Sequence, residues 1–202
     1  MKIGPKYKIA RRLGAPVFEK TQTAKYALSL ARKEKVGRRG RSKQKSEFGL
    51  ALIEKQKARF SYGLGEKQFR NYVDKALKAQ NPVQKLFALL EGRLDNILFR
   101  SGLSKTRAQA RQAASHGHIM INDRRVTVPS ILISAGDIVS LRPGSAASPL
   151  FGDAAERMKT TTIPTWLKAD PDTRQVTVDG EPVYVPQEHL FDLGTVVEFY
   201  SR

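Results

Sequence analysis

Between Leu86 and Arg142 the apolar residues change their period once, and this change constrains the fold more than any other feature of the chain. Leu86, Leu89, Leu90, Leu94, Ile97 and Leu98 form one broad stripe of a single leucine-rich helix, stopped by Gly102. Ser104 is a suitable N-cap for the next helix, with Leu103 placed to staple against Ala108. That helix ends at Gly117. It carries Arg107 and Arg111 four positions apart, with Ser115 continuing the row, on a body kept slim by Ala108, Ala110, Ala113 and Ala114. Beyond Gly117 the period is two. Ile119 and Ile121 alternate with Met120, Asn122-Asp123 can turn, and Val126 and Val128 lead to the Pro129-Ser130 break. Ile131–Ile133 and Ile138–Arg142 give two more short strands around Ala135-Gly136-Asp137. Helices followed by strands predict the α+β class.

The charge is unevenly spread. Of 36 Lys and Arg and 19 Asp and Glu, giving a formal net charge of +17, residues 1–90 hold 23 basic and 6 acidic groups; residues 91–150 hold 8 and 4, residues 151–202 hold 5 and 9. A field concentrated in the first half points to a polyanion partner; mixed signs serving solubility alone would be spread throughout. Four segments follow: a basic N-terminal arm (1–45), a helical domain (46–90), a module of two helices and a small sheet (91–150), and a linker with a β-rich tail (151–202). The arm is read as unfolded because Arg32, Lys33, Lys35, Arg38, Arg39, Arg41, Lys43 and Lys45 repel one another around Gly37 and Gly40. In the helical domain Phe48, Leu52 and Ile53, then Phe69, Tyr72, Val73, Ala76 and Leu77, recur at helical spacing on either side of Gly63-Leu64-Gly65. Ser145–Met158 reads as a linker. Val176–Val178 and Val183–Val185 read as a hairpin about Asp179-Gly180, and Val196–Tyr200 as a strand or a docking segment, so that the tail completes the sheet or docks on the helical domain.

Catalytic chemistry finds few residues. The chain has no cysteine, which excludes disulfides, thiolate metal sites and thiol nucleophiles, and suits a reducing compartment. His116, His118 and His189 are not at zinc-ligand spacing with carboxylates, so neither metal nor cofactor is expected. Gly37-Arg38-Arg39-Gly40-Arg41 lacks the preceding strand and the Lys-Ser/Thr ending of a nucleotide cradle. No apolar run approaches the ~18–20 residues of a membrane span, and no signal-peptide core follows Met1-Lys2-Ile3-Gly4-Pro5, so a soluble, intracellular chain with no membrane partner is expected.

Binding chemistry is better supplied. Lys55-Gln56-Lys57-Ala58-Arg59-Phe60-Ser61-Tyr62 and Lys67-Gln68-Phe69-Arg70-Asn71-Tyr72 interleave basic with aromatic residues; Lys and Arg contact phosphates, and an exposed tyrosine, here Tyr62, can stack on a base.

Two blocks together, Glu54-Lys55-Gln56-Lys57 through Gln68-Phe69-Arg70-Asn71-Tyr72 and Leu89-Leu90-Glu91-Gly92-Arg93-Leu94-Asp95-Asn96 through Gly136-Asp137-Ile138-Val139-Ser140, resemble the S-four family of bacterial small-subunit ribosomal proteins. Shorter matches lie at Pro164-Thr165-Trp166-Leu167 and Val197-Glu198-Phe199-Tyr200-Ser201-Arg202. The resemblance implies a structural, non-enzymatic constituent of the small subunit in the cytoplasm. Such a protein binds 16S ribosomal RNA directly at a helix junction, nucleates assembly of the subunit body and contributes to translational accuracy. It also implies neighbours: ribosomal protein five, functionally protein twelve, and messenger RNA at the entry channel. The implied RNA-binding residues are Lys6, Lys8, Arg11, Arg12, Arg38, Arg39 and Arg41 in the arm; Lys55, Lys57, Arg59, Tyr62, Lys67 and Arg70 in the helical domain; and Arg93, Lys105, Arg107, Arg111, His116 and Arg124 in the module. Many family members bind zinc through N-terminal cysteines, which this chain lacks, and Val36-Gly37-Arg38-Arg39-Gly40 replaces the usual Pro-Gly-x-His-Gly loop. Two rival readings remain: a ribosome-rescue RNA-binding module, and an RNA-modifying enzyme. For the second, Gly92-Arg93-Leu94-Asp95 resembles the motif around the catalytic aspartate of pseudouridine synthases. Placed inside an apolar helix, Asp95 reads more simply as a scaffold residue paired with an arginine.

Overall fold

The computed structural model describes residues 3–35 and 46–201. In chain order these form helices α1 (Lys6–Leu13), α2 (Ala24–Lys35), α3 (Glu47–Ser61), α4 (Glu66–Ala76), α5 (Pro82–Glu91), α6 (Leu94–Arg100) and α7 (Arg107–Ser115), then strands β1 (Ile119–Ile121), β2 (Arg124–Val126) and β3 (Ile138–Leu141). Helices α8 (Pro143–Ala146) and α9 (Ala154–Thr160), strands β4 (Leu167–Asp170) and β5 (Gln175–Val178), and helix α10 (Leu193–Ser201) complete the run. The class is α+β, as the change of period predicts. The chain divides into two compact units: residues up to Val83 join those from Val185 onward, and Gln84–Tyr184 forms the other.

In the first unit, residues 3–35 are not the unfolded arm that their charge suggests. Ala10, Leu13, Ala15, Val17, Phe18 and Tyr26 bury together against Ile53 and Phe60 of α3, with the Phe18 and Phe60 rings edge to face at 5.7 Å. The turn into α2 is closed reciprocally: Phe18 N–H donates to Thr21 Oγ1 (3.1 Å) and the Thr21 hydroxyl donates to the Phe18 carbonyl (2.7 Å). Charge density hides this small core because the apolar residues of α1 occupy one face and the basic ones the other. Arg38, Arg39 and Arg41 lie outside the described residues.

Helix α3 begins at Ser46, whose hydroxyl accepts from Gly49 N–H at 3.2 Å. Against it packs α10, the segment whose β-branched Val196-Val197 pair reads as a strand or a docking segment. A helix forms instead because Asp192 takes up its first turn, accepting from Gly194 N–H (2.9 Å), Thr195 N–H (3.1 Å) and the Thr195 hydroxyl (2.6 Å). Leu193 and Val196, three apart, are buried, and Phe199 meets Phe48 at 5.3 Å. These bonds hold the Asp192 carboxyl below its ordinary value, outweighing the upward push of burial.

The second unit is built on a five-stranded antiparallel sheet of order β2-β1-β3-β5-β4. Its core joins Leu94, Ile97 and Leu98 of α6, Ala110, Ala113 and Ala114 of α7, Ile119, Val139 and Val176 of the sheet, and Phe151, Ala154 and Met158. Asn122 and Asp123, both at positive φ (46° and 62°), form the two-residue turn between β1 and β2, as expected of that pair. The rest of the strand pattern is corrected. Strand β5 pairs with β4 around Pro171–Arg174 rather than with Val183–Val185, and Val183 is exposed. Residues 131–133 form no strand: Leu132 makes a single bridge to Arg93. Nor is Ser145–Met158 a linker. It contains the end of α8 and much of α9, and its Phe151, Ala154 and Met158, spaced by three and four, turn one face into the core although the segment's mean hydropathy is low.

Candidate nucleic-acid interface

The leucine-rich stretch is two helices rather than one. The chain leaves α5 at Gly92, where a Cβ would lie 2.9 Å from the Ala88 carbonyl oxygen, and Arg93 is extended (φ −71°, ψ 139°). The new N-terminus of α6 is satisfied by the segment that was expected to be a strand. Leu94 and Asp95 N–H donate to the carbonyls of Ile131 and Pro129 at 2.9 and 3.0 Å, and Ile133 N–H donates to the Gly92 carbonyl at 2.9 Å. Gly92-Arg93-Leu94-Asp95 therefore forms a helix junction rather than the interior of a helix.

At this junction lies a buried ionic network. Asp95, 1% exposed, accepts from Arg93 on both oxygens (Nε to Oδ1 2.9 Å, Nη2 to Oδ2 2.7 Å) and from Arg111 on Oδ2 (Nε 2.8 Å, Nη2 2.7 Å). Beside it Glu91 is gripped by Arg100 at 2.9 and 2.8 Å. Asn96 donates from Nδ2 to the Glu91 carbonyl (3.1 Å) and carboxylate (2.8 Å), and accepts from Arg107 Nε on Oδ1 at 2.8 Å. The Arg107 guanidinium sits 4.3 Å from the centre of the Phe99 ring. Asp95 faces arginines on both oxygens rather than a cleft, so its place is that of a scaffold carboxylate.

Among the module's candidates, Arg107 and Arg111 are thus brought together as half-buried side chains on successive turns of α7. That helix is capped not by Ser104, whose buried Oγ has no partner, but by Thr106, whose hydroxyl accepts from Gln109 N–H at 3.1 Å. Thr106 lies one residue before the helix; Ser104, three residues before it, is too early to reach its first free N–H groups. Lys105, His116 and Arg124 are exposed, with Lys105 paired to the exposed Asp153 at 3.0 Å. Arg93 departs from the expectation of a surface residue: at 2% exposure, its guanidinium is spent on Asp95.

In the helical unit, Lys67 and Arg70 are exposed on α4. Lys8 and Arg12 are exposed on α1, with Lys6 and Arg11 half-buried; Lys6 lies 5.7 Å from the Phe18 ring centre and Arg11 Nε donates to the Tyr7 carbonyl at 3.0 Å. Four further candidates are buried or half-buried. Tyr62, 2% exposed, packs against Phe191 at 5.9 Å and offers no stacking face. Lys55, 8% exposed, bonds Glu66 at 2.7 Å beneath the rings of Phe199 and Tyr200. Arg59 bonds Gln56 and Glu66 and lies over Phe60, while Lys57 bonds Glu54 at 2.7 Å. Sequence spacing shows that Lys55, Lys57 and Arg59 share a helix; it does not show that α10, far along the chain, covers Lys55.

Asn96 and Arg100 were missed as part of the site, because their partners lie across the junction that the uninterrupted leucine stripe conceals. Arg125 was missed with a signal available: the two-residue turn sets it opposite Met120, and its guanidinium lies over Gly117, donating to the His116 carbonyl at 3.4 Å. Among the described residues no group of three or more His, Asp or Glu could hold a metal ion, and no helix is long and apolar enough to cross a membrane.

A slim arginine-bearing helix, propped by buried acceptors on the helix before it and backed by a small antiparallel sheet, defines an RNA-binding module. Residues 92–139 match the S4 domain family, and residues 1–91 match the Ribosomal protein S4/S9 N-terminal domain family. Relatives cover nearly the whole chain. Small ribosomal subunit protein uS4 of Aquifex aeolicus (strain VF5) is 40% identical over 99% of this chain and 98% of its own, and that of Persephonella marina (strain DSM 14350 / EX-H1) is 40% identical over 98% of each. The uS4 of Corynebacterium kroppenstedtii is 42% identical over 82% of this chain. The chain belongs to the uS4 family.

Proposed function

We propose that this chain is a structural constituent of the small ribosomal subunit that binds 16S ribosomal RNA directly, as a primary binder that nucleates assembly of the subunit body. The observation that carries this reading is the pair Arg107 and Arg111, held one helical turn apart at the surface of a slim helix, where guanidiniums can meet backbone phosphates. Lys105, His116 and Arg124 extend that face in the module. Lys8, Arg12, Lys67 and Arg70 are exposed cations of the helical unit available to the same RNA, and Arg38, Arg39 and Arg41 add to the basic charge of that part of the sequence. Recognition then works by neutralising phosphates and fitting RNA shape, with no catalytic step and in the cytoplasm.

Protein neighbours and a part in translational accuracy belong to the same proposal. In the helical unit Phe48 and Leu50 are 63% and 54% exposed and line a groove with Ala51 and Phe199. An apolar patch of this kind suits a protein contact, which we assign to ribosomal protein five, with protein twelve linked functionally and messenger RNA passing nearby. The test is fractionation of ribosomal subunits. The chain is expected at one copy per small subunit after a high-salt wash; recovery only with large subunits, or with neither, refutes the proposal.

A further inference from the structure

Resting on the RNA-binding role above, we propose that Asn96 and Asp95 are positioning residues, buried acceptors that aim Arg107 and Arg111 at neighbouring phosphates of the bound RNA. Both are 1% exposed, and both are fixed from behind. The amide of Asn96 has one available orientation, because its NH2 is committed to Glu91 and only its carbonyl oxygen is left to receive Arg107. Asp95 is clamped by Arg93. Each anchor takes the Nε of its arginine, at 2.8 Å in both cases, so each guanidinium is held from the side nearest its own stem.

The charges point the same way. Glu91, Asp95, Arg93, Arg100, Arg107 and Arg111 together carry four positive charges and two negative. Arg100 pairs with Glu91, and Arg93 and Arg111 share Asp95, so the six groups together keep a net +2. A neutral amide, unlike a carboxylate, fixes the direction of Arg107 without adding a negative charge of its own. An arginine oriented in advance loses little freedom on meeting a phosphate, and its planar fork cannot be replaced by the point charge of a lysine.

The experiment is a double-mutant cycle on the full chain, measuring the affinity for a 16S 5′-domain RNA fragment across a salt series. Asn96→Ala removes the anchor and Arg107→Lys keeps the charge but not the Nε bond; each is expected to weaken binding about tenfold, the size of one lost charge-assisted hydrogen bond. Combined, they are expected to weaken it no further, with the salt slope unchanged because the charge is unchanged. Wild-type affinity for Arg107→Lys, or losses that multiply in the double variant, overturns the positioning role. Failure of the parent reading looks different: Arg107→Ala with Arg111→Ala would then bind as wild type, whereas positioning alone can fail while that variant is weak.

Discussion

The Tyr200 hydroxyl donates to Glu66 Oε1 at 2.8 Å, joining residues 134 positions apart and fastening α10 to the start of α4. The same oxygen accepts from Lys55 at 2.7 Å. Burial raises the Glu66 carboxyl, but the bonds from Lys55 and Tyr200 and the nearby Arg59 outweigh it and hold the group below its ordinary value. A depressed carboxyl stabilises the folded chain above its unfolded value and loses that contribution as pH falls through the folded one. Glu66→Gln is therefore expected to flatten the fall of the urea midpoint below pH 4.5 while costing stability at pH 7. A variant with an unchanged acid limb contradicts this assignment.

Tyr200 is the other half of the latch. Burial, then the bond to Glu66, raises its hydroxyl above the usual tyrosine value, so it stays protonated well past pH 10. A raised value stabilises the fold below the unfolded value, with the contribution lost as pH climbs beyond it. Tyr200→Phe is expected to cost about 1 kcal/mol at neutral pH, read from equilibrium unfolding, and to flatten the alkaline limb.

Arg93 and Arg111 share one carboxylate yet should behave oppositely on truncation. Removing Arg93 leaves the buried Asp95 with one partner, and about 3 kcal/mol of stability is expected to go, measured by chemical denaturation. Arg111 is 30% exposed, so Arg111→Ala together with Arg107→Ala is expected mainly to weaken RNA binding and to lower the magnitude of the salt slope by about 2.

Lys55 and Lys67 provide the same contrast in the helical unit. Lys55→Ala is expected to lower the thermal midpoint and leave the salt slope of RNA binding alone, since its ammonium is buried beneath two rings. Lys67→Ala is expected to do the reverse, reducing the slope by about 1 with unchanged melting.

Gly102 has φ +78°, and a Cβ there would stand 2.8 Å from Thr161 Oγ1 and 3.0 Å from the Arg157 carbonyl oxygen. Gly102→Ala is thus expected to cost about 1–3 kcal/mol through backbone strain and crowding together, visible as a lowered melting midpoint.

The period change at Gly117 was enough to read α7, β1, the Asn122-Asp123 turn and β3, because each is set by residues within a few positions of itself. The placing of Arg107 and Arg111 one turn apart on α7 was legible for the same reason. The break at Gly92 was not: an apolar stripe continues across it, and what ends α5 is an approach to the Ala88 carbonyl and a bridge to Leu132. Arg93, Lys55 and Tyr62 were misplaced by a related blindness. A basic or aromatic side chain is buried only if a partner arrives from elsewhere, and Asp95, Glu66 and Phe191 are met through folding rather than through spacing. Residues 3–35 show that charge density averaged over a window conceals a one-sided apolar row.

The unit formed by the first and last parts of the chain has a consequence for birth on the ribosome. Gln84–Tyr184 holds every strand of its sheet within one uninterrupted stretch, so it can close while synthesis continues. Helix α3 must wait for α10, which emerges more than a hundred residues later, and until then Lys55 and Tyr62 lack the rings of Phe199, Tyr200 and Phe191 that pack against them. A nascent chain should therefore leave these two side chains incompletely packed until the nine-residue helix α10 has been made, so that this late helix completes the packing of α3.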